Sequence, residues 1–220
     1  MKIDCISDLH GYYPKLEGGD LLIVCGDLTA RDSPIEYGHF AAWIDRQKYN
    51  KKVLVAGNHD TFFQNAGSNS IQDTYSDINV EYLCDSGTEF EGLKIWGSPW
   101  TAQFPGINPK CCAFTVNFGC DTEYWLDEYW KLIPDDTDIL ITHSPPHGVL
   151  DKCLNGNVGS KTLLEAIERI KPKLHIFGHI HECGGSKLLY KHEGPNTWCV
   201  NASIVNERYE HVNKPIRIEL

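Results

Sequence analysis

Five short apolar segments each end abruptly in polar residues and glycine, and this arrangement strongly limits the folds open to the chain. The segments and the residues after them are KIDCIS (2–7) before DLHG, DLLIVC (20–25) before GDLT, KVLVA (52–56) before GNHD, DILIT (138–142) before HSPPHG, and KLHIF (173–177) before GHIHE. Their length, β-branched content and terminal glycines predict strands. Their nearly continuous apolar character predicts strands that are covered on both faces.

Helices are predicted between these strands. Ser33, Pro34 and Glu36 form a helix start, in which the serine is the N-cap, the proline lies in the first turn and the glutamate completes a capping box. The helical spacing of apolar residues predicts two further helices, at about 122–132 and 160–170. The C-terminal third contains strand-like runs without helices between them. We therefore expect an α/β fold in which part of the sheet is mixed or antiparallel.

The composition narrows the class of protein. No linker divides the 220 residues, so we expect one domain over residues 1–220. A net charge of −10 argues against binding of long nucleic acids, which need a basic surface. No stretch is long and apolar enough for a signal peptide or a membrane span, so we expect a cytoplasmic protein without a membrane partner. The nine cysteines contain no C-x-x-C, and Cys5, Cys25 and Cys199 are predicted to be buried.

Side chains that can bind metal ions follow all five predicted strands. Seven are candidate ligands: Asp8, His10, Asp27, Asn58, His143, His179 and His181. Because ligand sites in open α/β sheets lie beyond the carboxyl ends of the strands, we expect these residues to meet at one rim. In an extended backbone, residues two apart point to the same side. Leu9 and Ile180 would then point into the core while the flanking ligands face the site.

The types of ligand indicate which metals fit. Oxygen and imidazole ligands without thiolates favour Mn, Fe, Zn, Ni or Co over Ca or an iron–sulfur cluster. Seven ligands are too many for one catalytic ion with open positions. They suit two divalent ions roughly 3.5–4 Å apart, a separation typical of phosphoester hydrolysis sites.

The five polar motifs, in this order, resemble those of the calcineurin-like metallophosphoesterases. They are DLHG, GDL, GNHD, THSPPHG and GHIHE, and they extend from residue 8 to residue 182. The segments KIWGSPW (94–100), GSKTLLEAI (159–167), PKLHIFGHIHE (172–182) and VNASIVNERYEHVNKPI (200–216) are similar to one branch, the small metallophosphoesterase-domain proteins of brain and their bacterial relatives. The resemblance implies a four-layer α/β/β/α sandwich with a dinuclear site on one rim.

The resemblance also implies a role for each site residue. Asp8, His10 and His181 would hold one metal, Asn58, His143 and His179 would hold the other, and Asp27 would bridge them. A hydroxide shared between the ions, of which Mn is favoured, would attack phosphorus. His59 would donate a proton or a hydrogen bond to the leaving oxygen, and Asp60 would fix the tautomer and orientation of His59. Some members of the branch carry a small residue where this chain has His181, so its presence predicts that both metals bind.

The expected activity is that of a phosphodiesterase. The chain has little length to spare for a capping domain, so we expect an open site, which suits small diesters such as cyclic nucleotides. A phosphomonoesterase acting on phosphoproteins or nucleotides would use the same ligands and is the main alternative. A nuclease is less favoured because of the negative charge. A non-catalytic scaffold is disfavoured because the ligand set is complete.

Several other residues have roles that the sequence leaves open. His147 follows His143 by four residues, and contact with substrate and a supporting role are equally compatible with that position. Trp96, Trp100 and Phe104 are compatible with an aromatic wall that stacks on a base or with core packing. GNVGSKT (156–162) lacks the spacing of a P-loop, and we expect a turn into the helix, whose first amides a phosphate could still contact. The remaining histidines are expected to be structural: His39, His175, His192 and His211.

Overall fold

A computed structural model describes residues 1–104, 111–154 and 156–220 of the chain. In chain order its strands are β1 (Lys2–Ile6), β2 (Gly19–Cys25), β3 (Tyr49–Val55), β4 (Val80–Tyr82), β5 (Ser86–Phe90), β6 (Leu93–Ser98), β7 (Thr101–Ala102), β8 (Thr115–Val116), β9 (Ile139–Thr142), β10 (Lys152–Cys153), β11 (Gly156–Asn157), β12 (Leu174–Phe177), β13 (Ser186–Tyr190), β14 (Thr197–Asn201) and β15 (Ile216–Glu219). The helices are α1 (Pro34–Asp45), α2 (Thr61–Ala66), α3 (Ser68–Ser76), α4 (Thr122–Trp130) and α5 (Lys161–Ile170).

Two larger sheets contain all five strands that precede the polar motifs. The first sheet has the order β15-β1-β2-β3-β4, with β1 to β4 parallel and β15 antiparallel to β1. The second has the order β13-β14-β12-β9-β6-β5, with a parallel centre and antiparallel strands at both edges. The prediction of an α/β fold with partly antiparallel sheets is therefore confirmed.

The apolar residues of β2 show why two sheets pack together. Successive side chains of a strand point to opposite faces. Leu21 and Ile23 lie in a buried cluster with residues of the second sheet, such as Ile141 and Ile176. Leu22 and Val24 instead lie in the cluster that contains the residues of α1 to α3.

The outer face of the second sheet is covered in the same way. Leu140 of β9 packs with Leu126 of α4 and with Leu163 and Ile167 of α5. The layers thus run helices, sheet, sheet, helices, which confirms the four-layer α/β/β/α sandwich.

The helix starts follow from local sequence. Ser33 caps α1, because its side chain accepts from the Glu36 amide while the Glu36 carboxylate accepts from the Ser33 amide, the predicted capping box. The helices predicted at about 122–132 and 160–170 are present as α4 and α5. Helices α2 and α3 were not predicted. None of the helices in the described ranges is long and apolar enough to cross a bilayer.

Candidate metal centre

The carboxyl ends of β1, β2 and β3 meet those of β9 and β12 at one rim of the sandwich. Hydrogen bonds join the loops across this rim: the Asp8 amide donates to the Gly26 carbonyl (3.0 Å), and the Gly178 amide donates to the His143 carbonyl (3.1 Å). The His179 amide donates to the Asp8 carboxylate at 3.1 Å, which links the two sheets directly. The structure brings all seven predicted ligands into one continuous group.

Four of these side chains form a compact cluster. The ligand atoms of Asp8, His10, Asp27 and His181 all lie within 4.8 Å of one another. His181 Nε2 is 3.2 Å from Asp8 Oδ1 and 3.4 Å from His10 Nε2, and His10 Nε2 is 3.7 Å from Asp27 Oδ2. Two carboxylates and two imidazoles at this spacing are a set that a divalent transition metal prefers.

A second group of ligand atoms converges on the other oxygen of Asp27. His143 Nε2 is 3.5 Å from Asp27 Oδ1 and 3.0 Å from Asn58 Oδ1. His143 Nδ1 lies 2.7 Å from the Cys25 carbonyl, which can only accept, so Nδ1 carries the proton. When the ring is neutral, the lone pair on Nε2 therefore faces two oxygen atoms that are also acceptors. A bound cation would satisfy all three atoms.

His179 completes this second group. Its ring centroid is 4.9 Å from that of His143. Its Nε2 is buried and has no hydrogen-bond partner among the described residues. A buried polar atom without a partner is costly, so this nitrogen is a fitting metal ligand.

The backbone of the ligand loops differs from the sequence-based expectation. We expected an extended chain at Asp8–His10 and at His179–His181. Instead φ is 52° at Asp8, 41° at His10 and 67° at His179, and His181 begins a 3-10 turn. Extended geometry was wrong because β1 and β12 end before these residues. Leu9 and Ile180 are nevertheless buried, as predicted.

Two glycines allow the loops to approach this closely. A Cβ atom on Gly178 would lie 2.1 Å from Ser7 Oγ and 2.2 Å from Asp8 Oδ2. On Gly57 it would lie 2.3 Å from Asp27 Oδ1 and 2.7 Å from His143 Cε1. Any side chain at either position would displace a ligand.

Burial and charge favour an ionised carboxylate at Asp27 and neutral imidazoles at His10 and His179, the states in which these groups can bind a cation. Burial alone would raise the pKa of Asp27, but the charges of His143 and His59 lower it well below its usual value. Burial lowers the pKa of His10 to about 4 and that of His179 to about 3, so both imidazoles are neutral at pH 7. Burial would lower the pKa of His143, but the charge and hydrogen bonding of Asp27, together with Asp8 and the Cys25 carbonyl, raise it to about 9. Positive charge is therefore favoured beside Asp27, and a metal ion would supply it in place of the proton.

His59 lies at the edge of this centre. Its backbone amide donates to Asp27 Oδ1 at 2.9 Å, and its Nε2 is 3.9 Å from Asp27 Oδ2. The imidazole is partly open to solvent, with 15% of the side chain exposed. This position is compatible with the predicted role as a donor to a leaving oxygen.

Asp60 is buried behind the ligands. Its carboxylate accepts from the amides of Asp27 (2.9 Å), Leu28 (3.1 Å) and Gly57 (2.7 Å), and from the Tyr37 hydroxyl (3.1 Å). Within the described ranges no hydrogen bond joins Asp60 to the imidazole of His59. Its described contacts therefore hold the loops of Asp27 and Asn58, and orientation of the His59 ring stays a prediction.

A cleft of about 440 Å³ opens beside the ligands and contains residues that the sequence did not single out. Tyr209 packs against His10 and His181, with ring centroids 4.7 and 5.1 Å apart. Cys111 Sγ lies 3.3 Å from His59 Nδ1. The segment 200–216, which contains Tyr209, resembles one branch of the family and offered an indirect signal. Nothing in the sequence around Cys111 pointed to the site.

Of the three aromatic residues whose role the sequence left open, two lie in the core and one lines the cleft. Trp100 stacks on Tyr129 with ring centroids 3.8 Å apart, and its indole nitrogen donates to Asp85. Trp96 and Trp100 both pack against the buried cluster that contains Leu126 and Leu140. Both belong to the core. Phe104 stacks on His179 at 5.4 Å and lines the cleft.

The two remaining candidates, His147 and GNVGSKT, make contacts with other acidic residues. His147 is not among the described residues that line the cleft, and its Nδ1 is 4.0 Å from Asp151. Its contact with substrate stays a prediction. At GNVGSKT, the Glu123 carboxylate accepts from the amides of Lys161 and Thr162, so a phosphate does not have free access to the start of α5. The expectation of free amides there was wrong.

Comparisons with known proteins agree with this geometry. Residues 1–183 match the model of the calcineurin-like phosphoesterases. The chain is 36% identical over 242 residues to metallophosphoesterase domain-containing protein 1 of Homo sapiens, covering 98% of this chain and 70% of that protein. It is 24% identical over 169 residues to a 3′,5′-cyclic-nucleotide phosphodiesterase of Nostoc sp., covering 74% of this chain and 56% of that protein. The solved structure of TT1561 of Thermus thermophilus has the same fold, with a TM-score of 0.61 at 16% identity over 92% of this chain and 90% of that chain.

Proposed function

This chain belongs to the calcineurin-like phosphoesterase family, and we propose that it is a metal-dependent phosphodiesterase acting on small diesters, including cyclic nucleotides. The observation that carries the proposal is the convergence of two ligand groups on Asp27. Asp8, His10 and His181 would hold one ion, and the second group, Asn58, His143 and His179, would hold the other. We favour Mn²⁺ among the divalent metals that suit oxygen and imidazole ligands.

When bound, the two cations would activate water for attack on phosphorus and offset the charge of the phosphate oxygens. The protein itself positions the reacting groups. His59 Nε2 lies 3.9 Å from Asp27 Oδ2, and His59 lines the cleft, which supports a role for this imidazole as proton donor to the leaving oxygen. Asp60 would act indirectly, because its carboxylate fixes the backbone of Asp27 and Gly57.

The charge of the cleft supports a diester rather than a monoester. None of the described residues that line the cleft is a lysine or an arginine, whereas Glu182 and Glu207 are among them. A phosphodiester carries one negative charge, but a monoester carries close to two at neutral pH. The monoester would therefore meet stronger repulsion and would lack the basic side chain that usually clamps its extra charge. The similarity to a cyclic-nucleotide phosphodiesterase points in the same direction.

A comparison of substrates tests this proposal. The Mn²⁺-loaded protein should hydrolyse bis(4-nitrophenyl) phosphate with a higher kcat/KM than 4-nitrophenyl phosphate. Activity on 2′,3′-cyclic and 3′,5′-cyclic AMP is measured alongside. A higher kcat/KM for the monoester would favour a phosphomonoesterase, and no turnover of any of these esters would reject the proposal.

Replacement of His59 tests the mechanism. His59→Ala should lower kcat by about 10²–10⁴-fold while both metal ions remain bound. The metal content is measured by elemental analysis of the same sample. Full activity of His59→Ala on an ester with a poor leaving group would show that the imidazole is not the proton donor.

A further inference from the structure

The imidazole of His59 is held on one side by a thiol. Cys111 Sγ lies 3.3 Å from His59 Nδ1, within hydrogen-bond distance for sulfur. On the opposite side of the ring, Nε2 lies 3.9 Å from Asp27 Oδ2 and faces the ligands. The two ring nitrogens therefore have different surroundings, and the one next to sulfur points away from the metal centre.

We propose that Cys111 is the positioning residue of His59, and that its thiol holds the imidazole with the Nε2 proton directed at the leaving oxygen. This inference rests on the proposed function. In the neutral ring, a hydrogen bond donated from Nε2 leaves Nδ1 as the acceptor. Transfer of a proton starts from the imidazolium, which carries a hydrogen on both nitrogens and becomes a neutral ring when Nε2 gives its proton to the leaving oxygen. The thiol hydrogen of Cys111 is the donor that matches an accepting Nδ1.

A thiol suits this position in both states of the histidine. When the ring is neutral, the S–H group donates to Nδ1. When the ring carries a second proton, the Nδ1–H group donates to the sulfur, which is also a weak acceptor. The contact is therefore kept as His59 gains and loses a proton.

The backbone around Cys111 is fixed to the residue that precedes His59. Asn58 Nδ2 donates to the Cys111 carbonyl at 3.2 Å, and the Ala113 amide donates to the Asn58 carbonyl at 3.2 Å. These two bonds tie the segment 111–113 to the loop that carries His59. The same bond from Nδ2 also turns Asn58 Oδ1 towards His143. Cys111 thus aligns a candidate ligand through its carbonyl and His59 through its sulfur.

Other residues of the site have different partners. The carboxylate of Asp60 receives the amides of Asp27, Leu28 and Gly57. Tyr209 contacts His59 through its ring, at a centroid distance of 6.2 Å. Among the described residues, the hydrogen bond to His59 Nδ1 therefore comes from Cys111.

The kinetic test uses leaving groups of different quality. Methyl 4-nitrophenyl phosphate has a good leaving group and needs little proton donation, whereas methyl phenyl phosphate needs more. We expect Cys111→Ala to lower kcat on the phenyl ester on the order of 10-fold, with a much smaller loss on the nitrophenyl ester.

Cys111→Ser should restore part of the loss, because a hydroxyl also donates to Nδ1. Cys120→Ala is the matched control, since Cys120 is an exposed cysteine that is not among the described residues lining the cleft. It should show the wild-type ratio of the two rates.

A second measurement does not depend on turnover. In the Zn²⁺-loaded protein, ¹⁵N chemical shifts report which nitrogen of His59 carries the proton. Wild type and Cys120→Ala should show the Nε2–H tautomer, and Cys111→Ala should show a mixture. An unchanged rate ratio together with an unchanged tautomer in Cys111→Ala would overturn the inference. A wild-type protein that turns over neither ester would reject the proposed function, while the tautomer would still test the contact.

Discussion

At the scale of single residues, Asp27 is where two groups of ligands converge. Its Oδ2 lies 3.7 Å from His10 Nε2, and its Oδ1 lies 3.5 Å from His143 Nε2. The two carboxylate oxygens thus face different groups of candidate ligands, which is compatible with a bridging role. The φ of 56° at Asp27 is unfavourable for a residue other than glycine, with a cost of roughly 1–2 kcal/mol. The surrounding hydrogen bonds hold this conformation.

Removal of one imidazole from each group tests the two-metal arrangement. His181→Ala should reduce the Mn²⁺ bound per chain from two ions to one, and His179→Ala should do the same at the other position. Isothermal titration of the metal-free protein measures the stoichiometry. His39→Ala, on the exposed side of α1, is the control and should keep both ions. Two ions retained by His181→Ala would contradict the assignment of that residue.

The seven candidate ligands could be singled out from the sequence because each follows a strand, whereas two neighbours of the site could not. Asp8 and His181 come directly after apolar runs whose carboxyl ends must meet at a sheet rim. Cys111 contacts His59 from a part of the chain that the sequence does not connect with the strand ends. Tyr209 similarly approaches His10 through a loop after β14. Such contacts depend on tertiary packing and leave no local pattern.

At the scale of elements, the site depends on how closely the loop after β12 approaches the loop after β1. The Ser7 amide donates to the Ala202 carbonyl at 2.8 Å, which joins the end of β1 to the end of β14 in the other sheet. Gly178 lies against this junction without a side chain. The apolar runs identified both strands, but the distance between their ends follows only from the packing of the two sheets.

Gly178→Ala should disturb both stability and metal binding. Its methyl group would overlap Ser7 Oγ and Asp8 Oδ2, so we expect a loss of about 1–3 kcal/mol in the free energy of unfolding. Mn²⁺ affinity should fall as well, because Asp8 must move.

Gly38→Ala is the control. Gly38 lies in α1 with no atom within 4 Å of an added Cβ, so alanine should stabilise by about 0.5–1 kcal/mol. Urea denaturation of the metal-free proteins measures both changes; equal stability of wild type and Gly178→Ala would contradict the close approach.

At the scale of the whole molecule, the four layers bury several polar groups that take no part in the candidate site. His175 of β12 is fully buried, and its Nε2 lies 2.9 Å from Thr142 Oγ1. The Thr142 hydroxyl donates to the Ser144 carbonyl, so the imidazole Nε2–H donates to Thr142. His175 Nδ1 has no partner among the described residues, so no hydrogen bond favours a second proton on the ring. Burial lowers the pKa of His175 to about 3.

This buried imidazole makes the stability of the whole fold depend on pH. Between about pH 3 and pH 6.5 the unfolded chain binds a proton at His175 that the folded protein does not, so stability falls as the pH falls below about 6.5. From pH 7 to pH 5 the loss due to this residue should be about 2 kcal/mol.

His175→Gln keeps a donor for Thr142 but cannot titrate. Its free energy of unfolding should therefore fall by about 2 kcal/mol less than that of wild type over this interval. Urea denaturation at both pH values, with EDTA in every sample, measures the difference, and His39→Gln should behave like wild type. The same pH dependence in wild type and His175→Gln would show that His175 is not held neutral in the folded protein.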